Sequence, residues 1–123
     1  MESMIEEYHF GSIKIAGKTF NHDVEVRWDG EVLKWWRKES HVIDFGDIKR
    51  AIEQKPEVII IGNGESGVAE VTEEVKNEIK SKGIELIIDI TPEAIKTFNV
   101  ILEESAEEEG KKKKVIGLFH LTC

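Results

Sequence analysis

Cysteine and positive charge are scarce in this sequence of 123 residues, and each shortage excludes a class of protein. One cysteine cannot form an internal disulfide, and the acidic N-terminus has too few apolar residues for a secretory signal. We therefore expect a cytoplasmic protein. The 17 Lys and Arg against 25 Asp and Glu give a net charge of −8, which argues against binding to nucleic acid or to an anionic membrane surface.

Long hydrophobic segments are also missing. The longest, 58–61 and 84–90, are far shorter than the roughly 20 residues that cross a bilayer. With 40% hydrophobic residues, however, the chain is apolar enough to fold without a metal or a disulfide. We predict one soluble α/β domain over residues 1–123. Lys and Glu dominate the charge and only one Gln occurs, a composition typical of thermophilic proteins.

The order of local patterns predicts an N-terminal β-meander followed by alternating helices and strands. Asp29-Gly30 joins two alternating segments, 24–28 and 32–36, as in a tight hairpin. Helical spacing begins at Asp44. The later elements are predicted as strand 58–61, a helix capped by Thr72, buried strand 84–90, a helix capped by Thr91 and central strand 115–121. Successive buried strands joined by a helix should be parallel.

The glycine-rich segment Gly62–Gly67 follows a buried strand and precedes a helix, as the dinucleotide-binding motif does. The best helix cap, Thr72, nevertheless lies five residues beyond the last of these glycines, and two glutamates follow it where a diphosphate would lie. We therefore favour a wide loop shaped by glycines. The alternative is a dinucleotide site formed by Gly62, Gly64 and Gly67.

His120 and Cys123 are the residues that would carry chemistry at the C-terminus. A cysteine nucleophile needs a base within about 3 Å, but residues three apart on a strand point to opposite faces. A histidine satisfied within the core and an inert thiol are therefore favoured, and a small enzyme that uses His120 or Cys123 is the alternative. The remaining histidines lie in separate elements without the paired spacing of zinc ligands, so we predict no metal and no cofactor.

The triplet Trp35-Trp36-Arg37 is a candidate partner surface. Adjacent residues on a strand face opposite ways, so one indole can enter the core while the other is left for a partner or a cation. Packing of both indoles inside the protein is the simpler expectation. An exposed indole would indicate an interaction surface and would favour a homodimer over a monomer.

Several short motifs together resemble a known family. In chain order they are His9-Phe10-Gly11 with Ile13 and Ile15, Trp35-Trp36-Arg37, Ile60-Ile61-Gly62-Asn63-Gly64, Thr91 with Ala94, Asn99, and Phe119-His120-Leu121-Thr122-Cys123. The resemblance is to the small α/β family that includes the vertebrate adipogenesis-associated domain protein and a mitochondrial complex I assembly factor.

The resemblance implies a three-layer α/β domain, with an N-terminal β-layer, a central mixed sheet and helices on the other side. It also implies that the last strand runs antiparallel to its neighbours and that the function is assembly or signalling rather than catalysis. The charged segment 103–114 is longer than usual, so we interpret it as an insertion or loop, or as an extension of the preceding helix.

We therefore predict a non-catalytic binding or assembly module whose ligand is a protein partner or a small anion. The anion cleft would lie at the carboxyl ends of the sheet strands. Backbone donors would come from the glycine segment, and polar side chains from the next strand end, the last helix and the last strand. The residues of this predicted cleft are Gly62, Asn63, Gly64, Thr91, Asn99 and His120.

Overall fold

The structure is a computed structural model that describes residues 3–123. Met1 and Glu2, part of the acidic N-terminus, lie outside the described residues. The strands are β1 (Ile5–His9), β2 (Ser12–Ile15), β3 (Lys18–Phe20), β4 (Val24–Arg27), β5 (Val32–Lys34), β6 (Val42–Ile43), β7 (Val58–Asn63), β8 (Glu70–Val71), β9 (Glu85–Asp89) and β10 (Val115–His120). The helices are α1 (Phe45–Glu53), α2 (Glu73–Ser81) and α3 (Thr91–Glu109).

A five-stranded mixed sheet forms the centre of the molecule, in the order β5-β4-β10-β7-β9. β7 runs parallel to both β9 and β10, while β4 is antiparallel to β10 and to β5. All six residues of β10 are buried, which confirms the predicted central strand. The expectation that β10 opposes all its neighbours is wrong for β7, because the α3 crossover brings the chain back in the same direction.

The N-terminal third is divided between two sheets. β1, β2 and β3 form a separate antiparallel sheet, whereas β4 and β5 belong to the central one. The hairpin at Asp29-Gly30 is confirmed, but the single meander layer is not. The reason lies in β4, where Val24, Glu25 and Val26 are all buried, so the strand is covered on both faces and must lie inside the molecule.

Two hydrophobic clusters cover the two faces of the central sheet. One contains the buried isoleucines of β1 and β2 together with the inner face of α3; the other contains α1 and α2. The mixed α/β class is confirmed, but α3 lies on the same side as the small sheet rather than opposite it. Alternate residues of β7 divide accordingly, with Ile60 facing α3 and Ile59 facing the other helices.

Helix boundaries follow local signals with two corrections. Thr72 caps α2 as predicted, and Asp44, where helical spacing begins in the sequence, is the N-cap of α1. Thr91 is the first residue of α3 rather than its cap, a position that Ile90 takes. The charged segment is mostly helix rather than loop, because α3 continues to Glu109 and ends at Gly110 with a φ of 73°. Within residues 3–123, no helix combines the length and the apolar character needed to span a membrane.

Candidate functional site

A buried polar cluster closes the carboxyl end of β10. His120 Nδ1 lies 2.8 Å from Asp23 Oδ2, and Arg37 Nη2 donates to the same oxygen at 2.8 Å. Nη2 is also only 2.7 Å from Nδ1. The pairing of β10 with β4 causes this meeting, because Asp23 directly precedes β4 and therefore lies beside the end of its antiparallel neighbour. We call Asp23, Arg37 and His120 the polar cluster.

Asp23 is the anion that holds the polar cluster together. Burial raises the pKa of its carboxyl group, but hydrogen bonds from His120, the Leu121 N–H and Arg37 outweigh burial and hold the pKa below its ordinary 3.8. The Leu121 N–H donates to the second carboxylate oxygen at 2.8 Å. Asp23 is therefore ionised at neutral pH, with both oxygens occupied.

Arg37 is held through both terminal nitrogens of its guanidinium by other residues of the chain. Nη1 donates to the carbonyls of Glu39 and Ser40 at 3.1 and 2.8 Å, and the guanidinium lies 5.2 Å from the centre of the Trp35 ring. Its Nε is buried and has no hydrogen-bond partner among residues 3–123. The guanidinium therefore links Asp23 to the main chain of Glu39 and Ser40, and Asp23 neutralises its charge.

The chain's own C-terminus fills the glycine loop that follows β7. The Thr91 hydroxyl donates to His120 O at 2.6 Å and accepts from Gly64 N at 2.9 Å. Glu65 N donates to Thr122 O at 2.8 Å, and a Cβ added to Gly64 would come within 2.5 Å of Cys123 O. These backbone donors, which we expected to bind an anion, already bind carbonyl and hydroxyl oxygens of the protein.

The predicted cleft residues do not all meet. Gly62, Gly64, Thr91 and the main chain of His120 lie together. Asn99 does not join them, because its amide exchanges two hydrogen bonds, of 2.9 and 3.1 Å, with the main chain of Ile5.

Asn63 and the imidazole of His120 have different surroundings. The buried Asn63 Oδ1 has no partner among the described residues, and the side chain lines a shallow cleft of about 340 Å³ with Val68 and Lys76. The imidazole faces Asp23 and Arg37 instead.

Sequence reasoning missed Asp23, Tyr8 and Glu65. The Tyr8 hydroxyl lies 3.1 Å from both Glu65 Oε1 and Leu121 O, and burial, with the charge of Glu65, raises its pKa. Together these contacts fasten β1 to the end of the chain. Asp23 lies in the loop before β4 and Tyr8 lies in β1, and neither is part of a recognisable motif. Glu65 lies inside the glycine-rich segment Gly62–Gly67, but that motif points to its glycines and not to the acid between them.

The two tryptophans follow β5, which ends at Lys34, and one is buried while the other is exposed. Trp35 is 4% exposed and its indole N–H donates to Asp47 O at 2.8 Å. Trp36 is 74% exposed, with Lys34 Nζ 4.7 Å from its ring centre, so the simpler expectation of two buried indoles is wrong. A groove of about 150 Å³ beside it is lined by Gly46, Asp47 and Arg50 as well as both indoles.

The chemistry available to the polar cluster is limited. A nucleophile must reach the base by a hydrogen bond, yet no hydroxyl or thiol within residues 3–123 makes one to the imidazole of His120. Cys123 is exposed and carries a free thiol. Among residues 3–123, no three His, Cys, Asp or Glu side chains lie close enough together to bind a metal ion.

Fold and site together define a small mixed α/β domain whose strand ends are closed by a buried polar cluster and by its own C-terminus. The sequence model of the family described as "Protein of unknown function (DUF498/DUF598)" matches residues 5–119. The chain therefore belongs to this family.

Solved structures extend the likeness over nearly the whole chain. A conserved hypothetical protein from Pyrococcus horikoshii OT3 is 28% identical, with a TM-score of 0.79 over 97% of this chain and 98% of that one. An outer membrane protein from Bartonella henselae is 22% identical, with a TM-score of 0.78 over 99% and 97%. A Mth938-like domain from Bordetella pertussis is 18% identical, with a TM-score of 0.60 over 94% and 85%. The last two establish the fold alone.

Proposed function

We propose that this chain is a non-catalytic assembly module that recognises a protein partner through the exposed indole of Trp36. The observation that carries the proposal is a large aromatic side chain, 74% exposed, between two neighbours that are fixed inside the molecule. We call Trp36 with Lys34, Gly46, Asp47 and Arg50 the Trp36 surface.

The backbone that presents Trp36 is held on both sides. Trp35 N donates to Asp23 O at 2.9 Å, and its buried indole is anchored on Asp47. On the other side, Arg37 is fixed by Asp23 and by two carbonyls. A residue fixed before binding loses less conformational entropy when a partner arrives. Tryptophan is also enriched among the residues that dominate interface energies.

Several polar groups that an anion site would need are instead occupied within the protein. His120 Nδ1 faces Asp23, and the loop donors Gly64 N and Glu65 N bind Thr91 and Thr122. The occupied loop donors support recognition over an anion or dinucleotide site. Within residues 3–123 no hydroxyl or thiol is hydrogen-bonded to the imidazole of His120, which supports recognition over a small enzyme. The resemblance to the family with the adipogenesis-associated protein and the complex I assembly factor also favours assembly. A cytoplasmic setting is part of the proposal, since one exposed thiol can form no internal disulfide.

The proposal is tested by placing a photo-crosslinking amino acid at position 36 in cells of the source organism. Position 100 is the matched control, because Val100 is an exposed apolar residue, 46% accessible, on α3. We expect a protein adduct from position 36 that position 100 does not give. The captured protein, once purified, should bind the Trp36→Ser variant at least about tenfold more weakly, a change of about 1.4 kcal/mol, and the Val100→Ser variant as it binds the wild type.

Stability is the internal control for this experiment. Because Trp36 is largely exposed, Trp36→Ser should change the free energy of unfolding by no more than about 0.5 kcal/mol. Equal adducts from positions 36 and 100, or an affinity that is insensitive to Trp36→Ser, would refute the proposal.

A further inference from the structure

β9 forms an open edge of the central sheet. It pairs with β7 on one side and is last in the strand order. The sequence predicted a fully buried strand, but Leu86, Ile87 and Ile88 are only half-buried. Helices cover the two faces of β9 and leave its outer side unpaired in the described chain. An apolar edge strand is a template for pairing with another chain.

The register shows which backbone groups of β9 face outwards. Glu85 N donates to Glu57 O at 3.1 Å, so the main-chain groups of Glu85 point to the β7 side. Because direction alternates along a strand, those of Ile87 and Asp89 point the same way, whereas the N–H and C=O of Leu86 and Ile88 point to the open edge. Two residues therefore offer two donors and two acceptors.

This open stretch has defined ends. Ile84 N donates to Ile79 O at 3.2 Å, which closes one end against α2. At the other end, Ile90 N donates to Asp89 Oδ1 at 2.8 Å. The outward N–H groups on either side of Leu86 and Ile88, those of Ile84 and Ile90, are therefore already hydrogen-bonded within the protein. The length of the opening matches a short extended segment, with four main-chain hydrogen bonds.

Two other strand edges, those of β5 and β1, are protected. β5, at the opposite edge of the central sheet, has only three residues and ends in the exposed Lys34. In the small sheet, both main-chain groups of Ile5 in β1 are bound by the amide of Asn99, which takes the place of a paired strand. Short strands, lysines and covering groups are how proteins prevent unwanted pairing at edges. β9 has none of these within its three apolar residues.

Acidic residues at both ends of β9 select the kind of partner. In an antiparallel pair centred on Ile87, Glu85 and Asp89 each face one residue of the incoming strand. In a second copy of this chain, Glu85 would face Asp89 twice, and directly opposed like charges are destabilising. An incoming strand with Lys or Arg at those two positions would form two opposite-charge pairs instead.

We propose that β9 accepts an extended antiparallel segment of a partner protein, in which basic residues flank three apolar ones. Main-chain hydrogen bonds to Leu86 and Ile88 hold the segment, and Glu85 and Asp89 select its charge. This strand-addition site is separate from the Trp36 surface, because β9 and β5 lie at opposite edges of the central sheet. The two sites together would let one domain join two partners.

The test uses a synthetic peptide, acetyl-Gly-Lys-Val-Ile-Val-Lys-Gly-amide, and a matched control with Glu in place of both Lys. Amide NMR spectra and hydrogen exchange of the full chain are recorded during titration. We expect the lysine peptide to slow exchange at Leu86 and Ile88, and the glutamate peptide to bind about tenfold more weakly. Trp36→Ser should leave the affinity for the lysine peptide unchanged, which separates this proposal from the preceding one.

A charge reversal makes the test sharper. In Glu85→Lys combined with Asp89→Lys, the preference between the two peptides should invert. Because Asp89 also binds Ile90 N, Glu85→Lys alone serves as a second variant and should narrow the difference between the peptides. Equal affinity for both peptides, or spectral changes that avoid Leu86 and Ile88, would overturn the proposal. Concentration-dependent protection of these two amides without peptide would also overturn it, since the occupant would then be a second copy.

Discussion

Replacing Asp23 by asparagine removes the negative charge that joins Arg37 to His120 while keeping the size and shape of the side chain. The amide oxygen of the new side chain can still accept from the Leu121 N–H. The substitution removes the negative charge on the Oδ2 side of the carboxylate, which lies 2.8 Å from both Arg37 Nη2 and His120 Nδ1. Since the side chain of Arg37 is only 6% exposed, its charge would then be left without compensation in the interior.

The expected destabilisation follows from these contacts. Each hydrogen bond that involves a charged group contributes about 1.5 to 3 kcal/mol, and breaking a buried ion pair costs about 3 to 5 kcal/mol. The side chain of Asp23 is 18% exposed, so water offsets part of the loss. We therefore expect Asp23→Asn to lower the free energy of unfolding by about 3 kcal/mol, at the lower end of that range.

Urea unfolding at neutral pH measures this difference. The matched control is Glu31→Gln, because Glu31 also pairs with an arginine, at 2.7 Å, but has a side chain that is 50% exposed; such pairs contribute about 0 to 1 kcal/mol. The folded pKa of Asp23 is depressed, so its stabilisation is present above 3.8, the ordinary pKa, and is lost as the pH falls below 3.8 through the folded pKa. Equal effects of the two substitutions, or a wild-type advantage that persists in strong acid, would refute the assigned role of Asp23.

Two further predictions concern the closed strand ends. Gly64→Ala should lower the free energy of unfolding by about 3 kcal/mol, because φ is 107° and the new Cβ would lie against the carbonyl of Cys123. Gly17→Ala is the control and should lower it by about 1 kcal/mol, because Gly17 also has a positive φ but has open space around it. Urea unfolding measures both variants, and equal losses would contradict the close contact at Gly64. Tyr8 is the sole tyrosine, so near-ultraviolet absorbance reports its ionisation directly, and we expect that ionisation only well above pH 10. Because the folded pKa is raised, Tyr8 contributes stability below pH 10 that is lost as the pH rises through the folded pKa. Titration of Tyr8 near pH 10 in the folded protein would contradict its contacts to Glu65 and Leu121.

Elements with local signals were predictable from the sequence. α2 has a cap at Thr72, apolar residues Val75 and Ile79 one turn apart, and an end at Gly83, all within reach of local hydrogen bonds. β10 has apolar residues on both of its faces, so both faces must be packed against other elements, which places the strand in the middle of the sheet. The burial of one indole and the exposure of the other was one of the two outcomes that the adjacent tryptophans allowed, because neighbouring residues of an extended segment point to opposite sides.

Strand order and the contacts it creates were not predictable in the same way. The segments of β9 and β7 each contain three or more consecutive apolar residues and both were predicted to be buried strands. One is nevertheless an edge and the other is interior, since only the assembled sheet decides which strand has a neighbour on each side. Asn99 was assigned to a ligand cleft but serves the edge of β1, across 94 residues of chain.

The amino-acid sequence by itself determined the α/β class and most of the helices and strands, because periodicity, caps and turns act between residues a few positions apart. Only the tertiary structure brought Asp23 to His120 across 97 residues, left Trp36 uncovered, closed the glycine loop with the C-terminus, and left β9 open. Such contacts depend on how the sheets and helices pack together in the two hydrophobic clusters. That packing involves residues from the whole chain, so no short segment of the sequence determines it.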